Sequence, residues 1–380
     1  MRTSVDEEPR PKIVVAAGGT GGHLFPALAV ADELRRRHGA ARIRFVGGRR
    51  GIETRLVPSR GYPLRTLPLS GLKGAGMRDR ILAAASAGLA VVRCASWSLR
   101  ERSDLVIGAG GYASGPAVLA ARLLGIPTMV LEQNHFPGAT NRWLAPWVDA
   151  VCVPSEAARE RLGGRGIVTG NPVRPEFLEI AEAPGGPVLS LLVFGGSRGA
   201  RSINRAMVEA LPALGALDPA PRIVHQTGED EVDAIAEAYV ERYRGNGDFQ
   251  VRAFLDDMPA RLEAADLVIC RAGAMTLAEL AAAGRPAILV PYPHASDDHQ
   301  RQNAVAVEEA GAAVVVQDAD LTGAKIVDLV SSLAADPELR RRMGRSAKRL
   351  ARLDAAVRIA DVADRLLLGA RVRKGGTLVS

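Results

Sequence analysis

The sequence predicts an α/β protein of two doubly wound domains, each built on a parallel sheet. Three observations carry this expectation. A length of 380 residues is long for one domain and comfortable for two. Near-continuous apolar runs alternate with helical patterns throughout, as expected of strands buried on both faces. The pattern also restarts once: KIVVAAGGTGGHLFPALAVADEL and LSLLVFGGSRGARSINRAMVEAL are each a buried strand, a glycine loop and an amphipathic helix.

In the first domain, strands are expected at 12–18, 41–48, 104–111, 127–133 and 149–155. In the second they are expected at 188–196, 221–228, 249–255, 265–273, 285–293 and 312–317. Turn chemistry in GNPVRPEF (170–177) and APGGP (183–187) places the join there, giving domains of 11–172 and 173–352. A C-terminal helix over 353–370 is expected to pack back on the first domain, and 371–380 to form a flexible tail. Two facing Rossmann-like domains would leave a cleft at the carboxyl ends of their strands.

Hydrophobic residues make up 47% and aromatics only 4%, so the cores rest on Ala, Val, Leu and Ile. Cys94, Cys152 and Cys270 stand far apart, with neither a CxxC pair nor a metal spacing, and read as reduced buried thiols. The N-terminus has no apolar signal-peptide core. The longest weakly polar run, ILAAASAGLAVV (81–92), is short of the roughly 20 residues that span a bilayer. A soluble, cytoplasmic protein is therefore expected.

The net charge of +7 is unevenly spread. Residues 1–175 carry 25 Lys+Arg against 13 Asp+Glu, whereas the remainder carries 24 against 29. Such a field attracts anionic surfaces. Nucleic acid is disfavoured, because the basic stretch lacks stacking aromatics and no DNA-binding motif accompanies it.

Three glycine loops follow strands: GGTGGH (18–23), GAGGYASGP (108–116) and GGSRGA (195–200). Backbone N–H groups in such loops approach phosphate oxygens closely, and the following helix N-terminus adds a favourable dipole. None is a P-loop, and none has the dinucleotide G-x-G-x-x-G register. Glu53 lies beyond the second strand, where a nicotinamide-binding acid would stand, but the fit is poor. No DxD follows an apolar strand, so neither a metal nor another cofactor is expected. Asp297 and Asp298, with His294 and His299 beside them, are the nearest approach to a metal-like cluster.

ICRAGAMTLAELAAAGRPAILVPYPHASDDHQRQNA (269–304) is the most informative segment. A strand is expected to end at Arg271 and a helix to begin near Thr276. Thr276 and Glu279 have capping-box spacing. Alternatively, Glu279 is a carboxylate that grips vicinal hydroxyls, as a ribose presents them. The polar loop after the next strand matches the donors and acceptors of a sugar. LEQNHFPGATNR (131–142) places Glu132, Gln133 and Asn134 at another strand end.

Taken with GNPVR, these motifs resemble the MurG family of peptidoglycan glycosyltransferases, in family order over residues 12 to 360. The resemblance implies a GT-B fold and inverting transfer of N-acetylglucosamine from UDP-N-acetylglucosamine. The acceptor would be O4 of the muramoyl sugar in undecaprenyl-diphospho-muramoylpentapeptide. Such an enzyme serves cell-wall biogenesis, and through it cell shape and division. It would work peripherally at the cytoplasmic face of the cell membrane, within reach of the cell-wall synthesis machinery.

By motif, the C-terminal domain would hold the donor. Glu279 would bind the ribose, and Leu255 with Ala274, Met275, Thr276, Leu277 and Ala278 would surround uracil and sugar. Ser197 and Arg174 would face the diphosphate, and Gln300 the transferred sugar. Because the loop before Asn303 varies in the family, His299 and Gln302 compete with Gln300. Thr20, Gly21, Gly22 and Asn134 would border the reaction centre from the first domain.

Inverting transfer needs a base for the acceptor hydroxyl. His23 follows a glycine loop at a strand end, and its ordinary pKa lies near working pH. It is expected to be the base or an orienter of the acceptor; Glu132 is the rival base, and a structural helix-start histidine is the third alternative. The segment 71–92 sets Leu72, Met77, Ile81 and Leu82 near Lys73, Arg78 and Arg80, an apolar patch with a basic rim suited to an anionic membrane surface. An ordinary buried helix is the alternative there. A different nucleotide sugar or acceptor, a nucleotide-sugar epimerase and a non-catalytic binder on the same architecture are the competing functions.

Overall fold

The structure, a computed structural model, describes residues 10–373 except 40, 50, 69–76, 187, 197–198, 245–247 and 296–297; for 77–84 and 371–373 it describes the backbone only. The chain divides into two units. One comprises Met1–Pro172 with Asp354–Ser380, the other Val173–Leu353.

The first unit carries seven strands: β1 (Lys12–Ala16), β2 (Arg42–Gly48), β3 (Leu64–Leu67), β4 (Leu105–Gly108), β5 (Thr128–Leu131), β6 (Ala150–Val153) and β7 (Ile167–Val168). All pairings are parallel, in the order β3-β2-β1-β4-β5-β6-β7. The second unit carries six: β8 (Ser190–Phe194), β9 (Arg222–Gln226), β10 (Phe249–Arg252), β11 (Leu267–Cys270), β12 (Ala287–Leu289) and β13 (Ala313–Val315), in the order β10-β9-β8-β11-β12-β13, again all parallel.

Alternation along each strand assigns its two faces. Ile13 and Val15 enter one apolar cluster with the helix Gly21–His38, whereas Val14 and Ala16 enter another with the helices Met77–Glu101 and Ser114–Leu123. In β8, Leu191 and Val193 take one face, and Leu192 and Phe194 the other. Both sheets are thus covered on both sides, which is why their strands read as continuous apolar runs.

The strand order reverses between β1 and β4, and again between β8 and β11. These are topological switch points, where open α/β sheets bind ligands. The glycine loops after β1 and β4 flank the first, and the loops after β8 and β11 the second.

The C-terminal helix spans Ala355–Arg373 and belongs to the first unit. Ile359, Ala360, Val362, Ala363 and Leu367 bury against the helix Gly21–His38 and its sheet. Arg37 reaches across to Asp361 (2.7 Å) and Asp364 (2.8 Å). The helix continues through Arg371–Arg373, so the first residues of the expected tail are helical.

The expected basic field is partly neutralised. Arg35 pairs with Asp32 (2.9 Å) and Arg36 with Glu33 (2.8 Å), while Arg44 and Arg65 share Glu101. The division into units nevertheless sharpens the asymmetry: the first holds 29 Lys+Arg against 16 Asp+Glu, the second 20 against 26. All three cysteines are buried free thiols.

In the second unit His225 is fully buried, with Nδ1 3.0 Å from the Tyr239 hydroxyl and Nε2 3.1 Å from Asn204 Oδ1. Burial lowers its pKa from 6.5 to about 3. Its stabilising contribution is therefore complete above the unfolded value and is lost as pH falls below it, at about 1.4 kcal/mol per pH unit. Urea titrations at pH 7.5 and 5.5 are expected to show that extra loss in the wild type relative to His225→Gln; equal pH dependence would contradict a neutral buried imidazole.

Candidate active site

In the first unit, the chain leaves β1 through Gly18 and Gly19, the latter in the left-handed region at φ +87°, and enters a helix at Gly21. Thr20 is the N-cap, and its hydroxyl lies 3.3 Å from His23 Nδ1 rather than on a backbone N–H. His23 therefore stands in the first helical turn, where the dipole disfavours a protonated ring.

The loop after β4 packs against it. A Cβ on Gly110 would meet His23 Cδ2 at 2.4 Å, and one on Gly111 would meet the Gly18 carbonyl oxygen at 2.3 Å. Both residues also have positive φ, so glycine is required there twice over. Two adjacent glycine loops thus hold the imidazole between them. Burial lowers the His23 pKa; Glu132 and the Gly18 carbonyl oppose that shift. The ring is neutral at neutral pH, as a proton acceptor must be.

Glu132, the rival base, is buried after β5 with both oxygens occupied. Oε1 accepts from the Asn134 N–H (2.8 Å) and Nδ2 (3.1 Å), and Oε2 from the Gly138 N–H (2.9 Å) and Asn141 Nδ2 (2.8 Å). Four donors stabilise a carboxylate that organises the loop 133–141 and orients Asn134. Gln133 Nε2 donates to the Ala109 carbonyl (3.1 Å), tying this loop to the one after β4. Asn141 was not singled out by the sequence reading; its link to Glu132 joins residues nine apart across a turn.

In the second unit the helix after β11 spans Ala274–Ala283, with Gly273 as N-cap and no side-chain cap. It thus begins before the expected start near Thr276. Thr276 is its third residue and Glu279 its sixth, so they form no capping box, which needs the hydroxyl at the N-cap itself. Glu279 is instead mostly buried, with Oε1 3.9 Å from Arg174 Nη2. Arg174 also stacks over Phe177 at 4.7 Å. Burial pushes the Glu279 carboxyl up to about 7, and Arg174 opposes the shift.

Leu255 and Met275 lie in the apolar cluster with Leu192 and Phe194. Their side chains are mostly packed into that core. Ala274, Thr276, Leu277 and Ala278 are half-buried along the first helical turns. Gln300, second in the helix His299–Glu309, accepts from the Tyr292 N–H through Oε1 at 3.0 Å.

Arg271 is a further organiser that the sequence reading passed over. It donates to the Val290 and Pro291 carbonyls (both 3.2 Å) and to Ser202 Oγ (2.9 Å), and it pairs with Asp318. It thereby holds the ends of β11 and β12 beside the loop after β8. In that loop, Gly199 has φ +73° and its Cβ would overlap the Thr227 carbonyl, so a tight backbone approach accounts for this glycine.

Ser197, Leu72 and Lys73 lie outside the described residues, as do the side chains of Met77, Arg78, Arg80, Ile81 and Leu82. Asp297 of the metal-like cluster is also outside them. Among the described residues no group of His, Cys, Asp and Glu could hold a metal ion.

Family models match both units: the glycosyltransferase family 28 N-terminal domain at residues 13–153 and its C-terminal domain at 190–359. The UDP-N-acetylglucosamine--N-acetylmuramyl-(pentapeptide) pyrophosphoryl-undecaprenol N-acetylglucosamine transferase of Myxococcus xanthus is 43% identical over 354 residues, which cover 92% of each chain. The crystal structure of Acinetobacter baumannii MurG superposes with a TM-score of 0.73 at 31% identity, covering 94% of this chain and all of that one. A putative UDP-N-acetylglucosamine 2-epimerase from Listeria monocytogenes shares the fold alone, with a TM-score of 0.69 at 17% identity and coverage of 94% of this chain and 96% of that one. With these matches over both halves, the chain belongs to glycosyltransferase family 28 and, within it, to the MurG family of GT-B enzymes.

Proposed function

We propose that this chain moves N-acetylglucosamine from UDP-N-acetylglucosamine to O4 of the muramoyl residue of undecaprenyl-diphospho-muramoylpentapeptide, with inversion. The observation that carries the reading is the identity of 43% over 92% of a relative bearing that transferase name. The geometry at both switch points is compatible with it.

In this reading the first unit presents the acceptor. His23 takes the proton from O4 as that oxygen attacks the anomeric carbon; the new bond forms as the bond to the UDP oxygen breaks. Glu132 holds Asn134 toward the acceptor, and Thr20 aims the imidazole. Gly21 and Gly22, at the helix start, offer N–H groups to an oxyanion. The second unit holds the donor. Glu279 as carboxylate accepts from the ribose hydroxyls, and Arg174 and Ser197 meet the diphosphate. The N–H groups of Gln300 are left to meet sugar hydroxyls, since its oxygen holds Tyr292. The anomeric configuration of the product tests the scheme: a β-linked disaccharide on the lipid is expected, and an α-linked product would sink it.

An enzyme with a lipid-linked acceptor must meet a membrane, and among the described residues no helix is long and apolar enough to cross one. The helix Met77–Glu101 instead exposes Leu89 (50%), Val92 (64%) and Leu99 (60%) along one stripe. Leu123, also exposed, ends the helix packed beside it. With Arg100 and Arg122 exposed nearby in sequence, this face suits an anionic leaflet at the cytoplasmic side of the membrane, where cell-wall synthesis partners work. Replacing Leu89, Val92 and Leu99 together by Ser is expected to weaken binding to anionic vesicles at least about tenfold. Sedimentation indifferent to the substitutions, to anionic lipid and to salt would remove the membrane assignment.

A further inference from the structure

Glu53 is a buried carboxylate that the transfer scheme does not use. It is 1% exposed. It stands beyond the second strand, where a nicotinamide-binding acid would stand, but its oxygens turn inward: Oε1 accepts from the Gly48 N–H (2.8 Å) and Oε2 from the Gly19 N–H (3.1 Å). Four glycines make room for it. A Cβ would fall 2.4 Å from Oε1 at Gly18, 2.7 Å from Cγ at Gly47, 3.0 Å from Oε1 at Gly48 and 1.9 Å from Oε2 at Gly51. Gly18, Gly47, Gly48 and Gly51 therefore cradle the Glu53 carboxylate.

The N–H of Gly19 and the carbonyl of Gly18 belong to one planar amide. Its N–H donates to Glu53 Oε2; on the chain's next residue the Thr20 hydroxyl lies 3.3 Å from His23 Nδ1, and the Gly18 carbonyl opposes the fall in that ring's pKa. A carboxylate on one end of an amide fixes the plane and raises the electron density at the other end. The same carbonyl lies against Gly111, so the β4 loop closes the stack from the far side.

We propose that Glu53 is a positioning residue for the transfer reaction, acting through the Gly18–Gly19 peptide to aim the His23 ring and to tune its hold on the proton. The proposal rests on the reading of His23 as base. Among the described residues, Glu132 at the end of β5 is the charged group that acts on that ring, while Thr20 and Gly110 of the β4 loop meet it with neutral groups.

The test is the pH dependence of kcat in Glu53→Gln, beside Glu53→Asp and His23→Ala. Without the Glu53 charge, the Gly18 carbonyl favours the imidazolium less, so the ring deprotonates at lower pH. The acid limb of the profile is expected to move down by about half a pH unit, and kcat to fall about tenfold, with the donor KM within about twofold. Glu53→Asp keeps the charge but cannot span both N–H groups, and is expected to restore the limb with only part of kcat. An unmoved limb, with kcat falling only in step with Tm, would overturn the proposal in favour of a structural role. A wild-type profile for Glu53→Gln beside an inactive His23→Ala would overturn this proposal alone, whereas turnover retained by His23→Ala would overturn the base reading itself. A further measurement needs no substitution: by NMR of the wild-type enzyme, the Gly19 amide shift is expected to follow the His23 ring with one common midpoint. A Gly19 amide flat through that midpoint would break the proposed coupling.

Discussion

His23→Ala is expected to lower kcat by about 10²–10⁴-fold, the usual contribution of a positioned general base, while the donor KM stays within about twofold. The split follows from where the residue sits. His23 is in the first unit, and the groups assigned to the donor are in the second. An imidazole that merely started a helix would cost stability on removal and leave turnover untouched. One that takes a proton from the acceptor costs turnover and leaves donor binding alone. Burial and the helix dipole keep it neutral, with Glu132 and the Gly18 carbonyl limiting how far its pKa falls. Near-normal kcat in the variant would sink the assignment.

Glu279→Gln is expected to raise the KM for UDP-N-acetylglucosamine by about 10–100-fold, because a hydrogen bond to a charged group contributes about 1.5–3 kcal/mol and each 1.4 kcal/mol is tenfold. Its pH dependence is distinctive. With the carboxyl pushed up to about 7, the free enzyme enters the neutral range partly protonated. Two hydroxyl donors favour the carboxylate, so wild-type donor KM should rise as pH falls below about 7, and the Gln variant should lack that limb. Stability runs the other way. A folded pKa above the unfolded value of 4.5 gives a contribution complete below that pH and lost as pH rises through about 7. The variant is therefore expected to melt above the wild type at pH 8 and level with it near pH 4. A donor KM unchanged by the substitution would remove Glu279 from the site.

The architecture was legible because its strands are buried on both faces. IVVA, LVIG and LLVF announce themselves as apolar runs, whereas β3 (LRTL) has a half-exposed pattern and β7 is only two residues long. The helix start after β11 was misplaced because Thr276 looks like a cap; Gly273 takes that position, and Ala274 and Met275 are good helix formers. The candidate site residues were picked out by type, and their structural surroundings were not legible. Glu132 could be read as a base until the N–H of Gly138 and the amide of Asn141 were seen on its second oxygen. Glu53 sits where a cofactor-binding acid would stand, and only the folded chain shows that its donors are backbone N–H groups. Leu255 and Met275 fall within motifs yet face the core, a distinction made by helix phase and strand packing rather than composition.

The central claim is transfer of one sugar to one lipid-linked acceptor. It is tested most directly by following labelled N-acetylglucosamine from its UDP donor to a short-chain lipid-linked muramoylpentapeptide. The wild-type chain is expected to move label to the lipid with stoichiometric release of UDP, and His23→Ala to bind UDP yet transfer little. Binding of UDP with no label reaching the acceptor in the wild type would contradict the account and point to a different sugar or acceptor.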